Sequence, residues 1–404
     1  MELKKYKLGE IGEIRMCKRI LKSETNPYFG IPFYKIGTFG KIADAFIDPL
    51  LYKHYKKSYS FPRKGDVLIS AAGTIGKSVI YNGEDAYFQD SNIVWIEHDE
   101  SIVLNEFLYY LLNSIQWIPS KGSTIFRLYN DDIRNKEVFI PSIKEQRGIV
   151  SVLSSIDRKI ELNRTINQNL EAMAKQLYDY WFVQFDFPNE EGKPYKSSGG
   201  KMVWNEKIKR EIPIDWEILP LFDAVSVQYG FPFATEQFTE EETDVPVVRI
   251  RDILEGTTSA YSLEKADEKY HLNENDVLVG MDGNFHMNFG HDNIAYLNQR
   301  CVRLRAHSDS TISSIQILHS IKPYIKAKEQ NAKGSTVGHL SDKDLKGLYL
   351  IKPLKTRVFN SRKTLDGLLA LVIENKKQIL SLTKQRDELL PLLMNGQVSP
   401  PNCD

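Results

Sequence analysis

The chain has 404 residues, of which 42% are hydrophobic and 26% charged, a composition typical of folded proteins and a length that suits two or three domains. Basic and acidic residues number 53 each, so bulk charge does not indicate a nucleic-acid-binding protein. No apolar run reaches the ~20 residues of a membrane span, no signal-peptide core is seen at the N-terminus, and three scattered cysteines imply no disulfide framework. We therefore expect a cytoplasmic protein without membrane contact.

Residues 1–145 predict a small domain of mixed strands and helices. Short β-branched runs at 67–70 and 93–96 predict strands. Apolar residues spaced three and four apart over 105–118 predict a helix with one buried face. A Lys-Gly-Ser-Thr loop follows, and then a short strand that ends at Pro141.

A long helix is predicted over residues 146–186. Ser142 and Glu145 form a capping-box pattern at its start. Its apolar seam steps alternately by three and four residues, which is typical of a coiled coil. The seam consists of Ile149, Val152, Ile156, Ile160, Asn163, Asn167, Leu170, Met173 and Leu177. Two helices that each pack only on their own domain are the alternative.

The rest of the chain repeats this plan after a break. Residues 187–214 are rich in Gly, Ser, Lys and Pro and predict a surface connector. Residues 215–356 predict a second mixed domain, 357–396 a second long helix, and 397–404 a tail. The second seam consists of Leu365, Leu368, Val372, Asn375, Ile379, Leu382, Arg386, Leu389 and Leu393.

The two halves match over nearly constant separations. Residues 67–69 match 277–279 at a separation of 210, and the Lys-Gly-Ser-Thr loops match at 212. So few gaps over this length indicate that a whole domain has been duplicated. Asn163 and Asn375 also lie 212 apart, at the same point of the two helices. One polar residue on a seam can fix the register of paired helices, and we predict that role for both.

Several stretches together resemble the specificity subunit of type I restriction-modification systems. They are the run from Asp157 to Arg164, Trp181-Phe182-Val183, the Ser197-Ser198-Gly199-Gly200 connector through Glu211-Ile212-Pro213, and the junction from Pro141 to Glu145-Gln146-Arg147. The likeness covers essentially the whole chain, although the second junction has Lys355-Thr356-Arg357 in place of Glu-Gln-Arg.

The resemblance implies an α+β fold with pseudo-twofold symmetry. Two target-recognition domains would each read half of a split site in double-stranded DNA. Two long antiparallel coiled-coil helices would join them and set the unread spacer. The chain would assemble with two DNA adenine methyltransferase subunits and two restriction (translocase-nuclease) subunits. Methyl donor and ATP would belong to those partners, so we expect no cofactor and no chemistry in this chain.

Motifs of catalysis are incomplete. Residues 71–78 are similar to a P-loop but carry Ala71 where glycine is needed, so a DNA-facing turn or an ordinary hairpin is favoured. Asn26-Pro27-Tyr28-Phe29 lacks the second proline of the adenine methyltransferase motif. The eight histidines form no HExxH pattern and no cluster with cysteine, so we predict no metal site.

The Lys-Gly-Ser-Thr loops are the strongest candidates for DNA contact, because hydroxyls, backbone N–H groups and lysine suit phosphate oxygens. Solvated turns kept for folding are the alternative. The predicted DNA-binding residues there are Lys121, Ser123, Thr124, Arg127, Lys333, Ser335 and Thr336. Side chains on other loops that could read base edges are Lys35, Thr38, Arg249, Arg251 and Asn284. Lys77, in the turn that contains Gly73 and Gly76, would contact phosphate.

One observation weighs against DNA reading by the second domain. Residues 215–355 contain 21 acidic and 15 basic side chains, a balance of −6, whereas phosphate neutralisation favours a surplus of cations. Two other functions therefore stay open. A stand-alone nuclease or methyltransferase would turn over DNA without partners, and a coiled-coil scaffold would show no salt-dependent binding to a specific duplex.

Overall fold

A computed structural model describes residues 1–118, 127–256, 258–290, 292–332 and 338–400. The chain divides into two compact units, Met1–Ile160 together with the chain from Ser381 onward, and Glu161–Leu380. Each of the two long helices begins in one unit and ends in the other. The helices predicted as separate spacer segments therefore contribute to both units.

The first unit contains ten strands and four shorter helices along its described residues. The strands are β1 (Lys4–Lys7), β2 (Glu13–Met16), β3 (Thr25–Asn26), β4 (Ile31–Tyr34), β5 (Phe46–Ile47), β6 (Val67–Ser70), β7 (Ser78–Ile80), β8 (Tyr87–Phe88), β9 (Ile93–Glu97) and β10 (Glu137–Ile140). The helices are α1 (Leu8–Ile11), α2 (Pro49–Ser58), α3 (Asn105–Ser114), α4 (Asn130–Arg134), the first half of α5 (Ile143–Tyr178) and the last part of α10 (Ser361–Met394). The predicted helix over 105–118 thus ends at Ser114.

The core of the first unit is organised by an antiparallel sheet of order β2-β9-β6-β7. Side chains alternate between its faces along each strand. Val67 and Ile69 face the cluster that contains α3 and α5. Leu68 and Trp95 face a second cluster, which covers the sheet of order β3-β5-β4-β8. Burial on both faces explains why β6 is a continuous apolar run.

The second unit repeats this architecture. Its strands are β11 (Met202–Asn205), β12 (Arg210–Pro213), β13 (Glu217–Pro220), β14 (Val225–Tyr229), β15 (Phe238–Thr239), β16 (Val247–Val248), β17 (Tyr261–Ser262), β18 (Val277–Gly280), β19 (Met287–Phe289), β20 (Tyr296–Leu297), β21 (Cys301–Ala306) and β22 (Tyr349–Lys352). Its helices are α6 (Leu221–Ala224), α7 (Ile250–Glu255), α8 (Ser314–Ala332), α9 (Asp342–Lys346), the second half of α5 and the first part of α10 (Ser361–Met394).

The sheet order confirms the α+β fold class and the duplication. The four-stranded sheet of the second unit has the order β14-β21-β18-β19, strand for strand the counterpart of the first. The outer pair β13–β22 corresponds to β1–β10, and the parallel pair β16–β20 corresponds to β4–β8. Helix α8 (Ser314–Ala332) follows β21 as α3 follows β9 in the first unit.

The segment predicted as a surface connector also contributes to the core of the second unit. It contains the antiparallel hairpin β11–β12. Phe187 stacks on Trp216 with ring centroids 4.5 Å apart and on Tyr195 at 4.6 Å. Phe187 and Trp216 belong to a cluster of buried residues that includes Phe182 and Phe359, and Tyr195 packs against this cluster. A few aromatic side chains among many polar ones are therefore enough to anchor this segment.

The capping box predicted for α5 is present. The Ser142 N–H donates to Glu145 Oε2 at 3.0 Å, and the Glu145 N–H donates to Ser142 Oγ at 3.4 Å. At its C-terminal end α5 continues into a π-helical turn, Asp179–Val183. Neither α5 nor any other helix of the described ranges is long and apolar enough to cross a membrane.

Candidate nucleic-acid interface

Four loops meet at one end of the main sheet of the first unit. We call residues 35–40, 71–77, 89–92 and 127–129 the first loop cluster. The Ala71 N–H donates to the Asn92 carbonyl at 2.8 Å, and the Leu128 N–H donates to the Ala71 carbonyl at 2.7 Å. The loop at 35–40 is joined to it because the Ile36 N–H donates to Gln89 Oε1 at 3.1 Å. Backbone hydrogen bonds therefore fix loops that are distant in sequence.

The P-loop-like stretch is a hairpin turn within this cluster. Residues 71–77 connect β6 to the antiparallel strand β7, whereas a P-loop connects a strand to a helix. Gly73 and Gly76 have φ of +68° and +80°, a backbone region that favours glycine. A Cβ on Gly76 would also lie 2.0 Å from the Trp117 ring. Both glycines are explained by the turn and by the close ring, without a nucleotide.

The structure brings four of the predicted DNA-binding residues together in the first loop cluster. Lys35 pairs with Asp44 at 2.8 Å, and its N–H donates to Thr38 Oγ1 at 3.1 Å. Lys77 Nζ donates to the Phe39 carbonyl at 2.8 Å. Arg127 Nη2 donates to the Ser91 carbonyl at 3.0 Å. These cations are half-buried and held in place by the protein itself.

The second unit forms a similar arrangement from the start of α7 (residues 249–254) and the loops 281–286, 298–300 and 338–340, which together we call the second loop cluster. The Met281 N–H donates to the Arg300 carbonyl at 2.9 Å, and the Leu340 N–H donates to the Met281 carbonyl at 2.8 Å. A bridge between Asp282 and His339 corresponds to the bridge between Ala72 and Arg127 in the first unit. The backbone is thus alike in the two clusters, while the side chains differ.

Three predicted DNA-binding residues belong to the second loop cluster, and they differ in exposure. Arg249 donates from Nη2 to Ser259 Oγ at 2.8 Å and lies 3.4 Å from Asp252, with its side chain 25% exposed. Arg251 has a side chain that is 69% exposed, with Nε 3.9 Å from Asp252. Asn284 is exposed in the β18–β19 turn. The latter two present their side chains to solvent.

The local charge of the second loop cluster differs from that of its domain. The first cluster contains Lys35, Lys77 and Arg127 against Asp90, a balance of +2. The second contains three arginines against Asp252 and Asp282, a balance of +1 with histidines neutral. The acidic surplus of residues 215–355 therefore lies outside the second loop cluster.

The remaining predicted contacts fall outside the described residues. This applies to both Lys-Gly-Ser-Thr loops, that is, to Lys121, Ser123, Thr124, Lys333, Ser335 and Thr336. The residues that follow them are described. Arg127 and Gly338 each belong to a loop cluster, and the Gly338 carbonyl accepts from the Gly283 N–H at 3.0 Å.

A charged group in the second loop cluster was missed by sequence reasoning. Asp282 Oδ2 accepts from Arg300 Nη1 at 2.8 Å, and Asp282 Oδ1 lies 2.6 Å from His339 Nδ1. Alignment of the two halves could have indicated this group, because Asp282 and His339 occupy the positions of Ala72 and Arg127 in the first unit.

Cys301, the residue after Arg300, is buried. Burial raises the pKa of the Cys301 thiol to about 12, and the charges of Asp252 and Asp282 add to the shift. The thiol is therefore neutral near pH 7 and acts as a buried apolar group.

Asparagines connect the two long helices. Asn163 and Asn375, which are equivalent in the duplication, do not bond to each other. In the second unit, Asn375 Nδ2 donates to Asn167 Oδ1 at 3.0 Å, and Asn167 Nδ2 donates to the Val372 carbonyl at 3.2 Å. Asn163 instead donates to Gln378 Oε1 at 3.2 Å. Residue numbers rise along α5 as they fall along α10, so the two segments are antiparallel. Asn167, which is 6% exposed, is the buried member.

In the first unit, the other parts of the same helices meet at a charged group. Arg386 Nη1 lies 3.2 Å from Asp157 Oδ1, and the Tyr110 hydroxyl donates to Asp157 Oδ2 at 2.6 Å. Burial and the hydrogen bond to Asp157 raise the pKa of Tyr110, so this hydroxyl remains a donor. The group connects α10 and α5 to α3.

Comparison with known proteins identifies relatives of this architecture. The family model described as type I restriction modification DNA specificity domain matches residues 1–172 and 213–381. A Haemophilus influenzae protein described as a type I restriction enzyme specificity subunit is 49% identical over 181 residues, which are 44% of this chain and 46% of that protein. The chain thus spans less than half the length of that relative.

Two further matches extend over most of the chain. The type I restriction enzyme MjaIX specificity subunit of Methanocaldococcus jannaschii is 28% identical over 354 residues, which are 84% of this chain and 78% of that protein. The crystal structure of a type I restriction-modification system S subunit from M. genitalium has a TM-score of 0.59 at 15% identity, covering 98% of this chain and 96% of that one. This second match shows that the fold is shared.

Proposed function

The chain belongs to the family of type I restriction-modification DNA specificity proteins, and from that membership we propose that it reads a two-part DNA target and performs no chemistry itself. Each loop cluster reads one half of the target. The two halves are separated by an unread spacer of fixed length.

One observation carries this proposal: the two loop clusters share a backbone arrangement and differ in side chains. The hydrogen bonds of Ala71 to Asn92 and Leu128 recur as those of Met281 to Arg300 and Leu340. A reader of two different sequences needs one way of approaching DNA and two sets of groups for base edges. Catalysis by a duplicated domain would instead favour the same reactive side chains in both copies.

The proposal includes the contacts to phosphates and bases that the sequence predicts. Lys35, Thr38, Lys77 and Arg127 support binding by the first cluster, and Arg249, Arg251 and Asn284 support binding by the second. Lysine and arginine neutralise phosphates, whereas arginine and asparagine also suit the edges of guanine and adenine. The two Lys-Gly-Ser-Thr loops would add further phosphate contacts.

The spacer length is assigned to α5 and α10. Each helix runs from one unit into the other, and 36 residues of α5 extend ~54 Å at about 1.5 Å per residue. Antiparallel pairing through Asn167 and Asn375 prevents the helices from sliding, which keeps the spacer constant.

Partners supply the chemistry in this proposal. Two DNA adenine methyltransferase subunits and two restriction subunits assemble on the chain in the cytoplasm, and they bind methyl donor and ATP. Exposed apolar side chains on the helices support protein contacts there: Leu162 is 57% exposed, Met173 50% and Leu380 65%.

Exchange of one domain tests the proposal. Residues 1–145 are replaced by the same domain of another family member, and the chain is expressed with its methyltransferase partner. Mapping of methylated sites should show a change in one half of the target, while the other half and the spacer length stay. The reciprocal exchange of 215–356 serves as the control and should change the other half. A change in both halves after a single exchange would contradict the proposal.

A further inference from the structure

We propose that Arg300 reads a guanine in the half-site recognised by the second unit, held in its reading position by Asp282, which His339 also contacts. This inference rests on the proposed function and adds a specificity-determining residue to it.

Arg300 combines exposure with a fixed position. Its side chain is 60% exposed, and Nη1 donates to Asp282 at 2.8 Å. Asp282 is only 24% exposed. Its backbone neighbours Met281 and Gly283 are hydrogen-bonded to Arg300 and Gly338. The carboxylate is therefore fixed by the loops, and the arginine is fixed by the carboxylate.

His339 restrains the carboxylate from the opposite oxygen. Its Nδ1 lies 2.6 Å from Asp282 Oδ1, while Arg300 uses Oδ2. With both oxygens engaged, rotation of the carboxylate would break a contact. A side chain ordered before binding loses less conformational entropy when the complex forms.

The chemistry of the guanidinium selects guanine. Arginine has five N–H donors in a planar fork, so one bond to a carboxylate leaves donors for a second acceptor. The O6 and N7 atoms of guanine are two adjacent acceptors in the major groove, and arginine is their commonest partner. Adenine presents a donor beside N7, which a guanidinium cannot match.

Three of the four other arginines of residues 215–355 are engaged in the fold. Arg303 is 6% exposed and donates to the Lys269 and His271 carbonyls. Arg305 is paired with Asp276, which is fully buried. Arg249 is bound to Ser259 and is 25% exposed. Arg251 is exposed, but its Nε lies 3.9 Å from Asp252 Oδ1, so Asp252 restrains it less than Asp282 restrains Arg300.

The first unit has different chemistry at the same positions. Asn92 stands where Arg300 stands, since each carbonyl accepts from the residue after the central strand, Ala71 or Met281. Ala72 replaces Asp282, so the ion pair has no counterpart there. The guanine contact should therefore affect one half-site only.

The test uses the complex of the full chain with its methyltransferase partner, acting on a DNA library randomised around the wild-type target. Variants are Arg300→Ala, Arg300→Lys and Asp282→Asn. Arg357→Ala is the matched control, because it removes the same charge from an exposed position of the same unit outside the cluster. Methylated products are sequenced, and base preference is measured at every position.

We expect Arg300→Ala to lower the preference for guanine at one position of the second half-site by about ten-fold to a hundred-fold. The first half-site and the spacer should stay unchanged. Arg300→Lys, which keeps the charge without the fork, should lose the same preference, and Asp282→Asn should weaken it. Arg357→Ala should leave every preference intact. If the Arg300→Ala chain does not assemble with the methyltransferase partner, the guanine preference of the Arg300→Lys complex decides the test.

Three results overturn the inference: unchanged guanine preference in the Arg300 variants, an equal loss at all positions of both half-sites, or a wild-type second half-site without a G·C pair. Failure of the proposed function looks different, since the wild-type complex would then methylate sites that lack two separate parts.

Discussion

At the scale of single residues, Gln146 connects three parts of the first unit. Its side chain is fully buried. Oε1 accepts from the Leu104 N–H at 2.8 Å, and Nε2 donates to the Ile102 and Pro141 carbonyls at 2.9 and 3.0 Å. It therefore joins the start of α5 to the segment before α3 and to the end of β10. This explains the glutamine of the Glu-Gln-Arg junction.

Replacement of this glutamine should destabilise the chain strongly. Gln146→Leu fills a similar volume but leaves the Leu104 N–H and two carbonyls without their partner, which should lower the free energy of unfolding by about 2 kcal/mol or more. The neighbouring Arg147→Leu, at an exposed position, is the control and should change it little. Chemical unfolding of the purified full chain measures both. Equal stability of the two variants would contradict the role of Gln146.

The sequence identifies single loop residues but not the contacts that form between them. Loop position and side-chain type were enough to select Lys35, Thr38, Lys77 and Arg127, which the fold brings into one cluster. The pairing of Arg300 with Asp282 depends on loops 18 positions apart, and that with His339 on loops still more distant. Such a group exists only after the sheet has formed, so no local pattern could predict it.

At the scale of elements, the helical seam was predicted better than its pairing. In the second unit the buried positions of α5 are Asn167 and Ala174, seven residues apart. Met173, predicted on the seam, is 50% exposed. Equivalence of Asn163 and Asn375 in the duplication does not make them neighbours. In an antiparallel pair, the residue that lies opposite a given position depends on where the two helices cross. The separation of two residues in the sequence does not give that crossing point.

The Asn167–Asn375 pair should contribute to stability as well as register. Asn167→Leu removes the acceptor of Asn375 and the donor to the Val372 carbonyl, and should lower the free energy of unfolding by about 1–3 kcal/mol. The double variant with Asn375→Leu should regain part of that loss, because both polar groups are then gone. Asn169→Leu, at an exposed position of the same helix, is the control. Unfolding midpoints that are equal for Asn167→Leu and Asn169→Leu would rule out the pair as a buried contact.

At the start of α10, different side chains replace Gln146 in connecting the long helix to the shorter helix of its unit. This junction lacks Glu-Gln-Arg, and α10 begins at Ser361. Asp366 Oδ1 accepts from the Ser314 N–H at 3.2 Å at the start of α8. Arg362 Nη1 donates to the Ser308 carbonyl at 3.1 Å. The start of α10 itself is capped by Asn360, whose Oδ1 accepts from the Lys363 N–H at 3.2 Å, so the cap is present without the Ser-x-x-Glu pattern of the first junction.

At the scale of the whole molecule, duplication was the strongest signal in the sequence. Matching separations predicted two domains of one fold, and the sheet orders agree strand for strand. The acidic balance of residues 215–355 was the main argument against a second DNA reader. The second loop cluster is itself cationic by formal count, so a bulk charge averaged over a domain is a poor guide to one end of its sheet.

The most direct test of the central claim is a map of the bases methylated by the wild-type chain together with its methyltransferase partner, read by long-read sequencing of the modified DNA. The account predicts one target with two specific parts, separated by an unread stretch of constant length. A single continuous motif, or two parts at variable separation, would contradict it.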